Sequence, residues 1–227
     1  MLKTALAIAT VLLVACPVAQ AIPTLQLYVP GSTYDLETES WTTAGNPFAL
    51  QVLGASDPIV HLTDVTLDIG VPQALWVPGG TVTVTGPGYP AGTTVSLFDW
   101  GIPARQQPHG VYPTYYYSLA LPDMNLAAGT DVIHNYNPGE DDSTARGVIL
   151  EYTISYSMFG GLHLDASADG TKANGKTASL FAPYSHDADS RLFIPEPPGL
   201  VLAGLVALLA VRRRRSRPMQ TVEVRPQ

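Results

Sequence analysis

Between Ile22 and Ile194 apolar and polar residues alternate with a period of two, which places successive side chains on opposite faces of an extended chain. In GVILEYTISYSMF the residues Val148, Leu150, Tyr152, Ile154, Tyr156 and Met158 alternate with Glu151, Thr153, Ser155 and Ser157, and this predicts a long strand with one face buried. Shorter versions occur at Leu25, Leu27 and Val29; at Phe48, Leu50 and Val52; at Val65, Leu67 and Ile69; and at Val82 and Val84. Others follow at Val95 and Leu97; at Tyr117, Leu119 and Leu121; and at Leu162, Leu164 and Ala166.

Turn formers separate these stretches: Val29-Pro30-Gly31, Val77-Pro78-Gly79-Gly80, Gly86-Pro87-Gly88, Tyr89-Pro90-Ala91-Gly92, Asn137-Pro138-Gly139 and Asp169-Gly170. Proline presets one backbone angle and glycine accepts the positive one, so the chain reverses at such places. No amphipathic helical stretch of a dozen residues stands between them, so βαβ crossovers are excluded. The pattern predicts an all-β fold, a mostly antiparallel β-sandwich or jelly-roll-like domain.

The two ends break the pattern. MLKTALAIATVLLVACPVAQA has Lys3, an apolar run and the small residues Ala19 and Ala21, which read as a secretory signal over residues 1–21 with the mature chain starting at Ile22. Leu13-Val14-Ala15-Cys16 supports a competing reading, cleavage before a lipidated Cys16. The only cysteine of the chain lies in this segment, so the mature body carries no disulfide and is held by packing alone.

At the other end, IPEPPGLVLAGLVALLAVRRRRS holds thirteen apolar or small residues from Gly199 to Val211. As a helix they reach about 20 Å at about 1.5 Å per residue, short of a hydrocarbon core of about 30 Å. Arg212, Arg213, Arg214 and Arg215 act as a membrane stop and orient the body to the outer side. The organisation is a signal peptide, a β domain over 22–194, a sorting segment over 195–216 with a short transmembrane helix, and a basic, polar tail over 217–227.

Charge narrows the function. The formal net charge is −7, and the body between Ile22 and Ile194 holds only five Lys and Arg against seventeen Asp and Glu. Binding nucleic acid requires a basic face, so no nucleic-acid partner is expected.

Pro195-Glu196-Pro197, the apolar run and the arginine block together resemble the PEP-CTERM sorting domain of Gram-negative bacteria. The resemblance implies export across the inner membrane, a transient membrane anchor, processing by signal peptidase and exosortase, and delivery to the cell surface or extracellular matrix beside exopolysaccharide. The stretches TLQLYVPGSTYDLETESW, HGVYPTYYYSLALPDM, GLHLDA and LFAPYSHDAD resemble the exported proteins called choice-of-anchor N. Membership implies a surface β domain and brings no catalytic residues.

Candidate chemistry in the body is sparse. No Gly-x-Ser-x-Gly elbow occurs, and His61, His109, His134, His163 and His186 stand singly without a His-x-x-x-His pair. Glu151 alternates with the apolar face of its strand, as a solvated residue would. No catalytic residue and no enzyme activity are expected; a glycan hydrolase with an unseen carboxylate pair is the remote alternative.

Calcium is the site chemistry that the acids suggest, because hard cations take several oxygens. The candidates are Glu140, Asp141 and Asp142 after a turn, and Asp187 and Asp189 in SHDAD, which lie two apart and project to one side of an extended segment. Asp165-Ala166-Ser167-Ala168-Asp169-Gly170 starts like an EF-hand loop, but Lys176 takes the position of the bidentate glutamate, so an EF-hand is not expected. Tyr112, Tyr115, Tyr116 and Tyr117, near Trp100, offer a carbohydrate-stacking platform. The functional expectation is an exported structural or adhesive surface protein, with exopolysaccharide binding as the alternative.

Overall fold

The computed structural model describes residues 22–107, 110–137, 142–183 and 186–191. Cys16, Ala19, Ala21, His109, Glu140, Asp141, Pro195, Glu196, Pro197 and the arginine block lie outside the described residues. Among the described residues no helix is long and apolar enough to cross a membrane.

The domain is all-β and built from two sheets. One contains β1 (Leu25–Tyr28), β4 (Phe48–Ala55), β6 (Thr81–Gly86), β7 (Tyr89–Val95), β10 (Asp131–His134) and β11 (Thr144–Ser157). Its order is β1-β4-β11-β6-β7, with β10 pairing β11 off this path. The other contains β2 (Thr33–Asp35), β3 (Ser40–Thr43), β5 (Ile59–Val71), β8 (Asp99–Gly101), β9 (Thr114–Ala120), β12 (Gly161–Lys172), β13 (Thr177–Phe181) and β14 (Asp187–Arg191). Its order is β2-β3-β14-β12-β5-β9-β8, with β13 pairing β12. Every pairing is antiparallel except that of β14 with β3.

The core lies between the sheets, as the alternation requires. Leu25, Leu27, Leu50, Val52, Val82, Val84, Tyr152 and Ile154 come from one side, and Val65, Leu67, Ile69, Leu119, Leu162, Leu164 and Ala166 from the other. All are buried. A smaller apolar cluster, Leu53, Ala55 and Ile133, covers part of the opposite face of β4.

Some expectations are corrected. Tyr89-Pro90-Ala91-Gly92 is not a turn: it starts β7, an edge strand where a missing N–H is tolerated, while the reversal sits at Pro87-Gly88 with Gly88 at φ 81°. Asp169-Gly170 likewise runs within β12, beside a register shift between Ser167 and Asp169. Leu97 is exposed beyond the end of β7, and Met158, at φ 67° and exposed, ends the alternation that it was expected to continue.

The outer face of the larger sheet differs most from a simple half-buried strand pattern. Leu162, Leu164, Ala166 and Ala168 of β12 face the core, yet His163, Asp165 and Ser167 between them are buried as well. The connection between β8 and β9 makes contacts on that face: Gln106 bonds Asp68 on β5, and Tyr112 bonds Asp165 on β12. Arg105, from the same connection, reaches Asp169 of β12 at 2.8 Å.

A buried histidine and carboxylate cluster

Strand pairing assembles the cluster. Residues opposite each other on paired strands project to the same face. Ser118 on β9 is opposite Asp68 on β5, and Asp68 is opposite Asp165 on β12. His163 of β12 is opposite Asp189 of β14, and the step beyond the Leu164 and Ala188 pair sets Asp187 beside Asp165. Ser40 on β3 is opposite Asp187 and closes the row. Four aspartates and one histidine thus meet on one face of three adjacent strands.

His163 is the hub, at 3% exposure, with Asp165 at 2%, Asp187 at 2% and Asp189 at 3%. Its Nδ1 lies 2.7 Å from Asp189 Oδ1, and Asp189 Oδ2 accepts the hydroxyl of Ser40 at 2.7 Å. On the other side of the ring, Nε2 lies 3.2 Å from Asp165 Oδ2 and 3.9 Å from Asp187 Oδ2. The Tyr112 hydroxyl donates to Asp165 Oδ2. Beside this group, Asp68 Oδ2 accepts from Gln106 Nε2 at 2.8 Å and Asp68 Oδ1 from the Ser118 hydroxyl at 2.5 Å.

Low dielectric makes each of these charges consequential. Burial opposes a charge on His163, but the Asp165 carboxylate and the hydrogen bonds to Asp165 and Asp189 win and hold the ring protonated well above its ordinary range. Burial also raises Asp165, yet the His163 charge and the hydrogen bonds of His163, Tyr112 and Asp187 bring it down to about 2. Asp187 moves the opposite way: burial and the neighbouring Asp165 charge push it well up. The shared environment thus drives the two neighbouring carboxyls in opposite directions. Burial raises Asp68 too, offset in part by its bonds from Ser118 and Gln106. Tyr112 is pushed far above the ordinary phenol range by burial and by the Asp165 charge.

His163 Nε2 and one oxygen each from Asp165 and Asp187 all lie within 4.8 Å of one another, so this buried group could hold a metal ion. Asp187 and Asp189, expected on one side of an extended segment, are both buried on β14. Their meeting with His163 and Asp165 is invisible in the sequence, because pairing between strands distant in the chain needs a register. Asp142 is elsewhere, 3.0 Å from His134 Nδ1.

The other singled-out residues go different ways. His186 is buried with Nε2 3.3 Å from Asn135 Oδ1, and His61 sits on β5. Glu151 is exposed and accepts from Gln51 Nε2 at 2.8 Å. The four tyrosines do not form one surface: Tyr112 turns into the cluster, and Tyr115 stacks on Trp76 with ring centroids 4.1 Å apart. Tyr116 follows on the opposite face of β9 from Tyr115, and Tyr117 is partly exposed. Trp100 on β8 remains 49% exposed and is braced edge-on by Tyr115 at 4.8 Å.

No protein-family model matches the chain, and no curated protein matches it. Among solved structures it is similar to AvmM, described as catalysing macrocyclization in alchivemycin A biosynthesis. The two share 9% identity at a TM-score of 0.34, over 70% of this chain and 88% of that one. A likeness this distant says nothing about activity.

Proposed function

We propose that this protein is an exported β-sandwich of the cell surface or extracellular matrix, sorted by exosortase, with a structural or adhesive role and no catalysis of its own. The observation that carries the reading is the pair of end signals around one β domain: Ala19 and Ala21 before it, and Pro195-Glu196-Pro197, the apolar run and Arg212 to Arg215 after it. Burial of the only dense group of titratable side chains among the described residues supports the non-catalytic part, since a catalytic group must meet its substrate.

Mass spectrometry of the protein from a host with and without its exosortase tests the assignment. The expected mature chain starts at Ile22, and its C-terminus is cut near Pro195-Glu196-Pro197 only when exosortase is present. A C-terminus intact to Gln227 in both hosts refutes sorting, a lipidated Cys16 refutes cleavage at Ala21, and turnover of a polysaccharide refutes the absence of catalysis.

One observation favours a second reading, exopolysaccharide binding. The half-exposed Trp100 ring, held by Tyr115, is an aromatic face of the kind on which sugars stack. Retention on a glycan array that disappears in Trp100→Ala supports it, and retention unchanged in that variant removes it.

A further inference from the structure

The geometry points to a structural divalent-metal centre at His163 Nε2, Asp165 and Asp187, selective for a first-row transition ion of the zinc class over calcium, that ties β12 to β14. It is independent of the export reading, because it concerns the folded domain alone.

Donor spacing is the first argument. Four-coordinate zinc bonds nitrogen and oxygen ligands at about 2.0–2.2 Å, which sets neighbouring donors about 3.3–3.6 Å apart. The distances from Nε2 to the two carboxylate oxygens, 3.2 and 3.9 Å, bracket that range. A shift of a few tenths of an ångström brings each of these two distances into that range.

Orientation of the histidine is the second argument. Metal-binding histidines characteristically donate the other ring N–H to a carboxylate, which fixes the tautomer and strengthens the ligand. Here Asp189 Oδ1 sits 2.7 Å from Nδ1, and Asp189 is itself fixed by Ser40 from β3 at 2.7 Å. That arrangement holds the Nδ1 proton on Asp189, and an ion takes Nε2 when the proton between Nε2 and Asp165 is released to solvent.

Charge is the third. Two adjacent carboxyls cannot both remain bare anions in a dry interior. A cation between Asp165 and Asp187 offsets their like charges and links the strands that carry them. Calcium fits less well, since it takes six to eight oxygens whereas one of the three converging donors is an imidazole nitrogen.

The test uses the full chain without a polyhistidine tag, stripped with chelator and then titrated with Zn²⁺, Co²⁺ or Ca²⁺. One equivalent of Zn²⁺ is expected to bind with a Kd in the micromolar range or below and to raise the melting temperature, whereas millimolar Ca²⁺ neither reproduces the shift nor displaces Zn²⁺. Co²⁺ is expected to give the visible absorption of a low-coordinate nitrogen and oxygen site. His163→Asn should abolish that spectrum, and Asp189→Asn, which keeps a side-chain oxygen near Nδ1, should weaken binding about 10- to 100-fold. Wild-type titrations need no variant to fold, so the proposal stays falsifiable if His163→Asn does not. Less than stoichiometric binding to wild type, equal binding by a folded His163→Asn variant, or displacement of Zn²⁺ by Ca²⁺ overturns it.

Discussion

Asp68 carries the sharpest pH prediction. It faces Asp165 across the β5 and β12 pairing, Arg105 exerts a weak opposing pull, and its carboxyl is held above the ordinary carboxylate range mainly by burial. A carboxyl raised in the folded state binds its proton more tightly there than in the unfolded chain. Its contribution to stability is therefore present at low pH and lost as pH rises through the folded value. Asp68→Asn, with Gln106 turning its amide to accept, should equal wild type below the ordinary carboxylate range and gain on it as pH rises from there through the raised folded value in urea-unfolding curves. A gain that is flat with pH would remove the charge argument. Tyr112→Phe should cost about 1.5–3 kcal/mol in the same assay, the range for a hydrogen bond to a charged partner. The sequence exposed half of this site: the HLDAS and HDAD stretches each place polar side chains two apart on extended chain. It did not show that these polar positions are covered, because the cover is the connection bearing Gln106 and Tyr112, which has no periodicity to read.

At the scale of elements, strands with a repeated alternation were legible and the shortest ones were not. β11 and β5, 14 and 13 residues long, repeat the alternation often enough to be recognised. β2 and β8, three residues each, have too few positions to carry a period and exist through their neighbours. Pro90 and Gly92 within β7 carried turn chemistry, but pairing with β6 overrode it. Gly147 at the start of the long alternation is a packing requirement that the pattern does not reveal. A Cβ there would stand 1.9 Å from the Gly54 carbonyl oxygen of β4, and backbone in a paired strand has no room to yield. Gly147→Ala should destabilise the domain by about 3 kcal/mol, the upper end of overpacking costs. A thermal melt within a degree of wild type would show that the two strands can separate at that point.

Across the whole molecule, the position of β14 has a consequence for the order of assembly. Among the described residues β3 pairs only with β2 and β14, so without Asp187–Arg191 the β2 and β3 hairpin shares no described backbone ladder with the rest of its sheet. Asp187 and Asp189 are also missing until then, which leaves His163 facing Asp165 alone among the cluster's charged neighbours. A chain stopped after residue 186 should lose its cooperative unfolding transition and be cut rapidly by protease, whereas the full chain resists. Long-range pairing of this kind also folds slowly, because distant segments must meet before either is rewarded. The larger sheet cannot be finished until nearly the whole body is available. Synthesis from the N-terminus thus postpones closure of the domain: among the described strands, the one that locks it is the last to arrive.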